Sequence, residues 1–396
     1  MIRMKSGTLF WGLLLAGSLV LSSCSQDAVF YSIQYDKKEN KNPAVPGSPG
    51  TIVKLGDALY VGSNAVYRYE KPDPNAEGGA ARWRRLPDQP GGRKLLNLTG
   101  TDQYLYVRVD DDGNNNPMKG GIYRKDPSTT GGWQLVDKSG FDIQSIYGAG
   151  DTLFAGARIG KNDYRLLYAA DQGGSPVLRE VPNVSGILKA AAYLPDSGTY
   201  YAALEGTGLL AAQEPNGLGA AGPLSHDTST PNNFTGLLAV GGSLIAVSSD
   251  GLIWRIDGNG AVAEPRKFNA LFNGALAVWQ DPTSEKPDLL LLGRAVSGGG
   301  NALTSDYGYM ELPFAYSSSA SLTPELSDKL QDPGLPQENA FTSISRYDSY
   351  YNTLERNPVS GLFQAPWDHV LFASTLTKGL WSCRQGEDPK EWNVEE

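Results

Sequence analysis

The sequence predicts an all-β fold: a closed ring of repeated four-stranded antiparallel sheets, the β-propeller. Short apolar runs such as ALYVG at 58–62 contain the aliphatic, aromatic and β-branched residues that fit a pleated strand. Gly, Asp, Asn or Ser bounds each run, as expected of hairpin turns. The runs lack the 3.6-residue period of a helix and recur at near-constant intervals, which indicates a repeat architecture.

The second strand of each repeat gives the clearest period. These strands are predicted to begin at Leu59, Leu105, Leu153, Tyr200, Leu244, Leu289 and Leu371. The first five spacings lie between 44 and 48 residues, which matches a blade of about 40–50 residues. The last spacing, of 82 residues, fits one blade with two insertions if its first strand lies at Phe341. We therefore predict seven four-stranded blades within residues 51–396, with eight blades as the alternative.

The N-terminus has the features of an export signal. A short basic start precedes an apolar run, Thr8–Leu21, which is shorter than the roughly 20 residues of a membrane-spanning helix. The run leads into Leu21-Ser22-Ser23-Cys24, which resembles the lipobox of bacterial lipoproteins, in the permissive form found among spirochaetes. The resemblance implies that residues 1–23 are a signal peptide and that Cys24 carries lipid. The alternative is an ordinary signal peptide with an incidental cysteine.

Residues 24–50 are predicted to be a tether rich in Pro, Gly and polar residues. Within it, Val29–Tyr35 has the composition of a strand. A ring of sheets must join its first and last members or leave an exposed edge. We therefore expect Val29–Tyr35 to close the ring on the blade formed by Phe341–Val394, with packing elsewhere as the alternative. This reading places the protein in the cell envelope, at the outer membrane or the periplasmic face.

Charge and cysteine content exclude some partners and links. The formal net charge is −9, which disfavours nucleic acid and anionic lipid surfaces as partners. The chain has two cysteines, so Cys383 lacks a disulfide partner if Cys24 is lipidated. We expect Cys383 to be a small buried core residue.

The segments that follow several third strands share a pattern. They pass through Gly-rich or Pro-rich sequence and reach a fourth strand near Trp83, Trp133 or Trp392. This resembles degenerate Asp-box turns of the BNR type, as in sialidase and sortilin propellers. The resemblance implies tryptophans that pack between blades, and it carries no active site.

Two insertions are candidate binding loops, because loops on a rigid scaffold often carry function. Asp110, Asp112 and Asn114 offer oxygen ligands for Ca²⁺, although their spacing fits no established calcium loop and a solvated hairpin tip is the alternative. The loop Tyr347–Asp368 is rich in aromatic residues, which are favoured anchors at protein interfaces. Packing of this loop over the underside of the ring is the alternative for its aromatic set, which comprises Tyr347, Tyr350, Tyr351, Phe363 and Trp367.

Catalytic motifs are absent from the sequence. It holds two histidines and no HExxH, CxxC, GxSxG or phosphate-binding loop, so we expect no metal or other cofactor. We predict a lipid-anchored, non-enzymatic propeller that binds a protein through its loop-bearing face, as a surface or adhesin-like protein. The alternatives are an envelope-assembly scaffold and a carbohydrate-active hydrolase or lyase. Acidic, Arg and Tyr side chains at the channel mouth would favour the enzyme.

Overall fold

A computed structural model gives the fold of Pro43–Glu396, one of the two units into which the chain divides. The residues it describes are 43–71, 82–90, 94–110, 121–137, 140–171, 176–220, 224, 233–258, 260, 266–267, 271–280, 288–294, 308–315, 325–326, 354, 357–376, 378–383 and 392–395. They form antiparallel sheets, named first to seventh in chain order. No helix in this part of the chain is long and apolar enough to cross a membrane.

The strands of the first three sheets follow one another directly along the chain. The first sheet has β1 (Ile52–Leu55), β2 (Ala58–Gly62), β3 (Val66–Glu70) and β4 (Trp83–Arg85). The second has β5 (Lys94–Gly100), β6 (Leu105–Asp110), β7 (Gly121–Lys125) and β8 (Gln134–Leu135). The third has β9 (Asp142–Ala149), β10 (Thr152–Arg158), β11 (Tyr164–Ala170) and β12 (Arg179–Glu180).

The remaining sheets continue this order. The fourth has β13 (Ile187–Leu194), β14 (Thr199–Glu205) and β15 (Gly208–Ala212). The fifth has β16 (Phe234–Val240), β17 (Ser243–Ser248), β18 (Leu252–Asp257) and β19 (Arg266–Lys267). The sixth has β20 (Phe272–Trp279), β21 (Asp288–Arg294), β22 (Tyr309–Ala315) and β23 (Glu325–Leu326). The seventh has β24 (Val359–Gln364), β25 (Leu371–Thr375), β26 (Gly379–Cys383) and β27 (Trp392–Val394).

Six of these sheets are four-stranded blades, which corrects the expectation of seven. The fourth sheet has three strands, and a 3-10 helix, Pro215–Gly219, follows β15. Pro and Gly disfavour a strand there, and the helix instead buries Leu218. One hydrogen bond, from Leu224 N to Leu209 O at 2.8 Å, joins the following segment to β15. No further sheet that would support eight blades occurs among the residues described.

The sheets form a closed ring. The first strands of successive sheets contact one another in order, from β1 through β5, β9, β13, β16 and β20 to β24. Strand β24 then contacts β1, which completes the circle. Apolar clusters fill the spaces between neighbouring sheets, including one that joins the first and seventh sheets through Leu59 and Phe372. A ring of β-sheet blades, the coarse prediction, is therefore confirmed.

The second-strand predictions agree with the structure, whereas one first-strand prediction is wrong. Each of the seven predicted starts lies within one residue of the start of a second strand. In the seventh sheet, however, the first strand is Val359–Gln364 and does not lie at Phe341. The prediction placed part of the excess length between the first and second strands, whereas a short turn joins Gln364 to Leu371. The predicted loop Tyr347–Asp368 therefore contains a whole strand.

The predicted closing strand, Val29–Tyr35, lies outside the described residues. Within the described part, the segment Pro43–Gly50 lies against the seventh sheet. Leu380 N donates to Val45 O at 3.3 Å, and Gly379 N donates to Gly47 O at 3.1 Å. Ser360 Oγ donates to the oxygen of Pro49 at 2.6 Å. Backbone bonding by this segment thus reinforces the junction between the first and last sheets.

The first strands approach one another closely at the centre of the ring. A Cβ built on Gly148 would lie 1.8 Å from the backbone oxygen of Gly100, and one on Gly274 would lie 2.1 Å from that of Thr235. Side chains also bridge these strands, since Thr99 Oγ1 accepts a hydrogen bond from Gly148 N at 2.8 Å. Only glycine permits this approach, so these positions fix how tightly the ring closes.

Candidate binding surfaces

The antiparallel sheets place their connections on two ends of the ring. The turns between first and second strands lie on one end, here called the turn face. The connections between second and third strands lie on the other, here called the loop face. The predicted calcium ligands follow the second strand β6 and so belong to the loop face. Of the predicted aromatic set, Phe363 lies in β24 and Trp367 lies in the turn that follows it.

Most of the predicted site residues lie outside the described part of the chain: Cys24, Asp112, Asn114, Tyr347, Tyr350 and Tyr351. Asp110 is the last residue of β6, opposite Lys94, and is partly buried. The described residues contain no group of three or more Asp, Glu, His or Cys that could hold a metal ion. The Ca²⁺ interpretation therefore stays a prediction about residues 110–120.

Phe363 and Trp367 pack inside the ring. Phe363 lies in β24 opposite Phe372, and both predicted anchors contact the cluster between the first and seventh sheets. The Trp367 ring stacks on Tyr69, with 6.1 Å between ring centroids. The structure therefore assigns these two side chains to the junction of the first and seventh sheets, a position that neither the interface prediction nor its alternative specified.

The tryptophans that precede fourth strands also pack between sheets. Trp83 meets Phe372 of the seventh sheet edge-on at 5.3 Å, and Trp392 meets Tyr309 of the sixth sheet edge-on at 5.6 Å. Trp133 packs against the cluster between the first and second sheets. The expected packing is thus observed, while the likeness to Asp-box turns stays a prediction.

Among the described residues, an acidic side chain lies in the first-to-second-strand turn of five sheets. Asp57, Asp102, Asp151 and Asp196 lie in the first-to-second-strand turns of the first four sheets, and Asp368 lies in that of the seventh. Gly56 and Gly150 have φ angles of 59° and 56°, which glycine adopts without strain. The first-to-second-strand turns, two of which read Gly-Asp, therefore place carboxylates on neighbouring sheets of the turn face.

Tyrosine hydroxyls bind some of these carboxylates across neighbouring sheets. Tyr200 donates to Asp151 at 2.6 Å, and Tyr69 donates to Asp368 at 2.7 Å. A third such bond, also 2.6 Å, joins Tyr106 of the second sheet to Asp171, which follows β11. Burial raises the pKa of Asp171 above its usual range, with a smaller contribution from the charge of Asp151. These bonds join adjacent sheets on the turn face.

Arg124 is a further residue of this junction. Its guanidinium lies 4.2 Å from the ring centroid of Tyr104, and the residue is only 4% exposed. The sequence places Arg68, Arg124, Arg255 and Arg384 on predicted third strands, which predicts blade packing or surface decoration. For Arg124 the packing interpretation is confirmed.

An open pocket of about 550 Å³ lies between the first and second sheets on the turn face. It is lined by Leu55, Gly56, Asp57, Tyr60, Arg68, Asp102, Gln103, Asp126, Pro127 and Ser128. Three of these residues are carboxylates, and Arg68 is held by Glu70 at 2.7 Å. Burial raises the pKa of Asp102, and the charge of Asp151 raises it further. The pocket is therefore acidic. We name it the acidic pocket.

Tyr60 is the buried polar residue of the acidic pocket. Its side chain is 1% exposed and packs in the apolar cluster between the two sheets. Among the described residues its hydroxyl has no hydrogen-bond partner, in contrast to Tyr69, Tyr106 and Tyr200. Sequence reasoning missed this pocket, because its residues come from turns of two repeats that the ring brings together.

Comparison with known proteins identifies the fold. No protein-family model matches the chain, and no curated protein matches it. Among solved structures, a chain in the crystal structure of a mitotic checkpoint complex is similar, with a TM-score of 0.51 and 12% sequence identity. The match covers 90% of this chain and 93% of that chain. The Cps50 (Swd1) β-propeller domain of Myceliophteria thermophila is also similar, with 11% identity, a TM-score of 0.51 and coverage of 86% and 96%. These likenesses show that the chain has a β-propeller fold.

Proposed function

We propose that this protein is a lipid-anchored, non-enzymatic propeller that binds a protein partner in the cell envelope. The observation that carries the proposal is the closed ring of blades, a rigid scaffold that presents connections from different repeats on one surface. The two similar structures are a chain of a mitotic checkpoint complex and the Cps50 (Swd1) β-propeller domain, in keeping with an interaction scaffold.

The composition of the first strands supports a binding role over hydrolysis. These seven strands surround the axis, and among their residues Asp142 is the one carboxylate. Asp142 is buried and pairs with Arg158 at 3.0 Å. Glycoside hydrolysis generally needs two carboxyl groups on opposite sides of the bond that is cleaved. Strands β13 and β16 consist mostly of small and apolar residues, ILKAAAYL and FTGLLAV, which favours a binding scaffold over a hydrolase.

One observation favours the hydrolase as a second candidate. Asp102 and Asp151 lie in adjacent turns whose backbones are joined by a bond of 2.8 Å from Asp102 N to Gly150 O. The pKa of Asp102 is raised, as a general acid requires. Incubation with envelope polysaccharides decides between the candidates. We expect no release of reducing ends, whereas release that Asp102→Asn abolishes would establish the hydrolase.

Lipid anchoring rests on the apolar run Thr8–Leu21 followed by Cys24. Acyl chains contribute about 0.8 kcal/mol per buried methylene, so a multiply acylated cysteine would hold the protein permanently. We predict that Cys24→Ala releases the protein from membranes into the aqueous fraction. Fractionation with and without detergent measures this, and Cys383→Ala is the matched control. A membrane-bound Cys24→Ala protein would contradict the proposal.

Partner binding is tested by crosslinking in intact cells followed by affinity capture of the full-length chain. We expect one or a few proteins to be recovered in stoichiometric amounts with the native chain. Protease shaving of the same cells reports surface exposure and separates an adhesin-like protein from an internal assembly scaffold. Recovery of no protein above an unrelated lipoprotein control would contradict the proposed function.

A further inference from the structure

We propose that the acidic pocket receives a lysine or arginine side chain from an extended segment of a protein partner. This inference rests on the proposed function and deepens it, because it assigns the partner's chemistry and the face of the ring on which it binds. The loop face was the expected binding surface, whereas the acidic pocket lies on the turn face.

The first argument is charge. Asp57 and Asp102 are exposed at the mouth of the pocket, and Asp126 lines it. The cation in the lining, Arg68, already pairs with Glu70 at 2.7 Å. Three carboxylates therefore face the space without a matching cation in the lining. A basic side chain would supply that charge, and hydrogen bonds between charged groups are stronger than neutral ones.

The second argument is independent of charge and concerns the Tyr60 hydroxyl. Tyr60 is 1% exposed and lines the pocket, yet its hydroxyl has no hydrogen-bond partner among the described residues. The hydroxyl oxygen is not enclosed by protein atoms, so it reaches the open cavity with its hydrogen-bonding capacity unused by the described residues. A peptide carbonyl or an incoming N–H group would satisfy it.

Arg68 provides a donor of the same kind. Arg68 of β3 lies opposite Tyr60 of β2 in the sheet, and its guanidinium carbon is 5.9 Å from the centroid of the Tyr60 ring. The Nε–H group of Arg68 is buried and has no hydrogen-bond partner. A main-chain carbonyl of an extended peptide would accept from Nε, while the peptide's basic side chain meets the carboxylates. This pairing favours a peptide segment over a free amine or a metal ion.

Size and surroundings agree with this occupant. A volume of about 550 Å³ falls within the usual range of ligand pockets, about 300–1,000 Å³. The turn face continues past the pocket with Asp151 and Asp196 on the next two sheets. A row of like charges steers an oppositely charged partner and raises its association rate. A partner segment with several basic residues would therefore be preferred.

The test uses the full chain purified in detergent and fluorescent acetylated peptides of sequence GKGKG, GRGRG and GQGQG. We expect the two basic peptides to bind and GQGQG not to bind, by fluorescence anisotropy at low salt. The double variant Asp57→Asn, Asp102→Asn should weaken binding at least tenfold. The matched double variant Asp163→Asn, Asp250→Asn removes the same charge from second-to-third-strand connections and should leave affinity unchanged.

Tyr60→Phe tests the hydroxyl separately. It should weaken GKGKG binding about fivefold, the effect of one hydrogen bond of about 1 kcal/mol, without lowering the thermal midpoint of the free protein. If both double variants lose peptide affinity equally, the loss reflects net charge and not the acidic pocket, which would overturn the proposal. Equal binding of Nα-acetyl-lysine amide and GKGKG would overturn the peptide assignment in favour of a small amine. Failure of all peptides beside successful partner capture would overturn this site and leave the proposed function standing.

Discussion

At the scale of single residues, tyrosine hydroxyls that bond a neighbouring sheet differ from the Tyr60 hydroxyl, which lines the acidic pocket. Tyr106 and Tyr60 are both almost fully buried, at 0% and 1% exposed. Tyr106 donates to Asp171, whereas the Tyr60 hydroxyl has no partner among the described residues. Their sequence contexts, LYVR and LYVG, barely differ, so the distinction could not be predicted from the sequence.

We expect Tyr106→Phe to destabilise the fold by about 1–3 kcal/mol, because it leaves the buried Asp171 carboxylate without its donor. Tyr60→Phe is the matched control and should change the free energy of unfolding by less than about 0.5 kcal/mol. Urea unfolding of both variants measures the difference. Equal losses would show that the Tyr106 bond adds no stability.

Asp171 also predicts a pH dependence. Burial raises its pKa in the folded protein above the ordinary value of 3.8, so the folded chain takes up this proton before the unfolded chain does. As pH falls from 7 through that raised pKa, the wild type should gain stability relative to Asp171→Asn. The gain should level off near pH 3.8. Urea midpoints across this range test it, and a constant difference would refute the shift.

At the scale of strands and turns, the second strands were predictable from the sequence and some other strands were not. All seven second strands were located because an apolar run follows each first-to-second-strand turn. The fourth strand expected after β15 does not occur among the described residues, since Pro215–Gly219 forms a 3-10 helix there. The first strand of the seventh sheet was misplaced because an insertion was expected after it, where the structure has the short turn between Gln364 and Leu371.

Central glycines are the element-scale feature that is easiest to test. Gly148→Ala should destabilise the protein by about 3 kcal/mol, because its Cβ would overlap the backbone oxygen of Gly100 in the next sheet. Gly132→Ala is the control, since a Cβ there meets no atom within 4 Å. Thermal unfolding of the two variants gives the comparison. A Gly148→Ala protein as stable as Gly132→Ala would mean that the first strands separate freely.

At the scale of the whole molecule, closure brings together residues that are distant in sequence. Tyr69 and Asp368 hydrogen-bond although 299 positions separate them. The acidic pocket likewise combines residues of two repeats. The period of the sequence predicts that such a ring forms, but it does not predict which side chains meet across its junctions. The fold was therefore more predictable than the site.

Closure also makes the core of the seventh sheet essential. We predict that Leu371→Asp prevents folding, because Leu371 is 4% exposed within the cluster shared by the sixth and seventh sheets and a buried unpaired charge is costly. Leu376→Asp should fold normally, since Leu376 is 49% exposed. Soluble yield and far-UV circular dichroism distinguish the two. Wild-type yield of Leu371→Asp would contradict its placement.

The pairing of Ala44 with Glu395, whose backbone atoms are 2.6 Å apart, has a practical consequence for protein engineering. A short linker could join the chain across this gap, and new ends could be opened at an exposed turn elsewhere, such as that at Asp196. Such a circular permutant would keep every blade while moving the chain ends to the turn face.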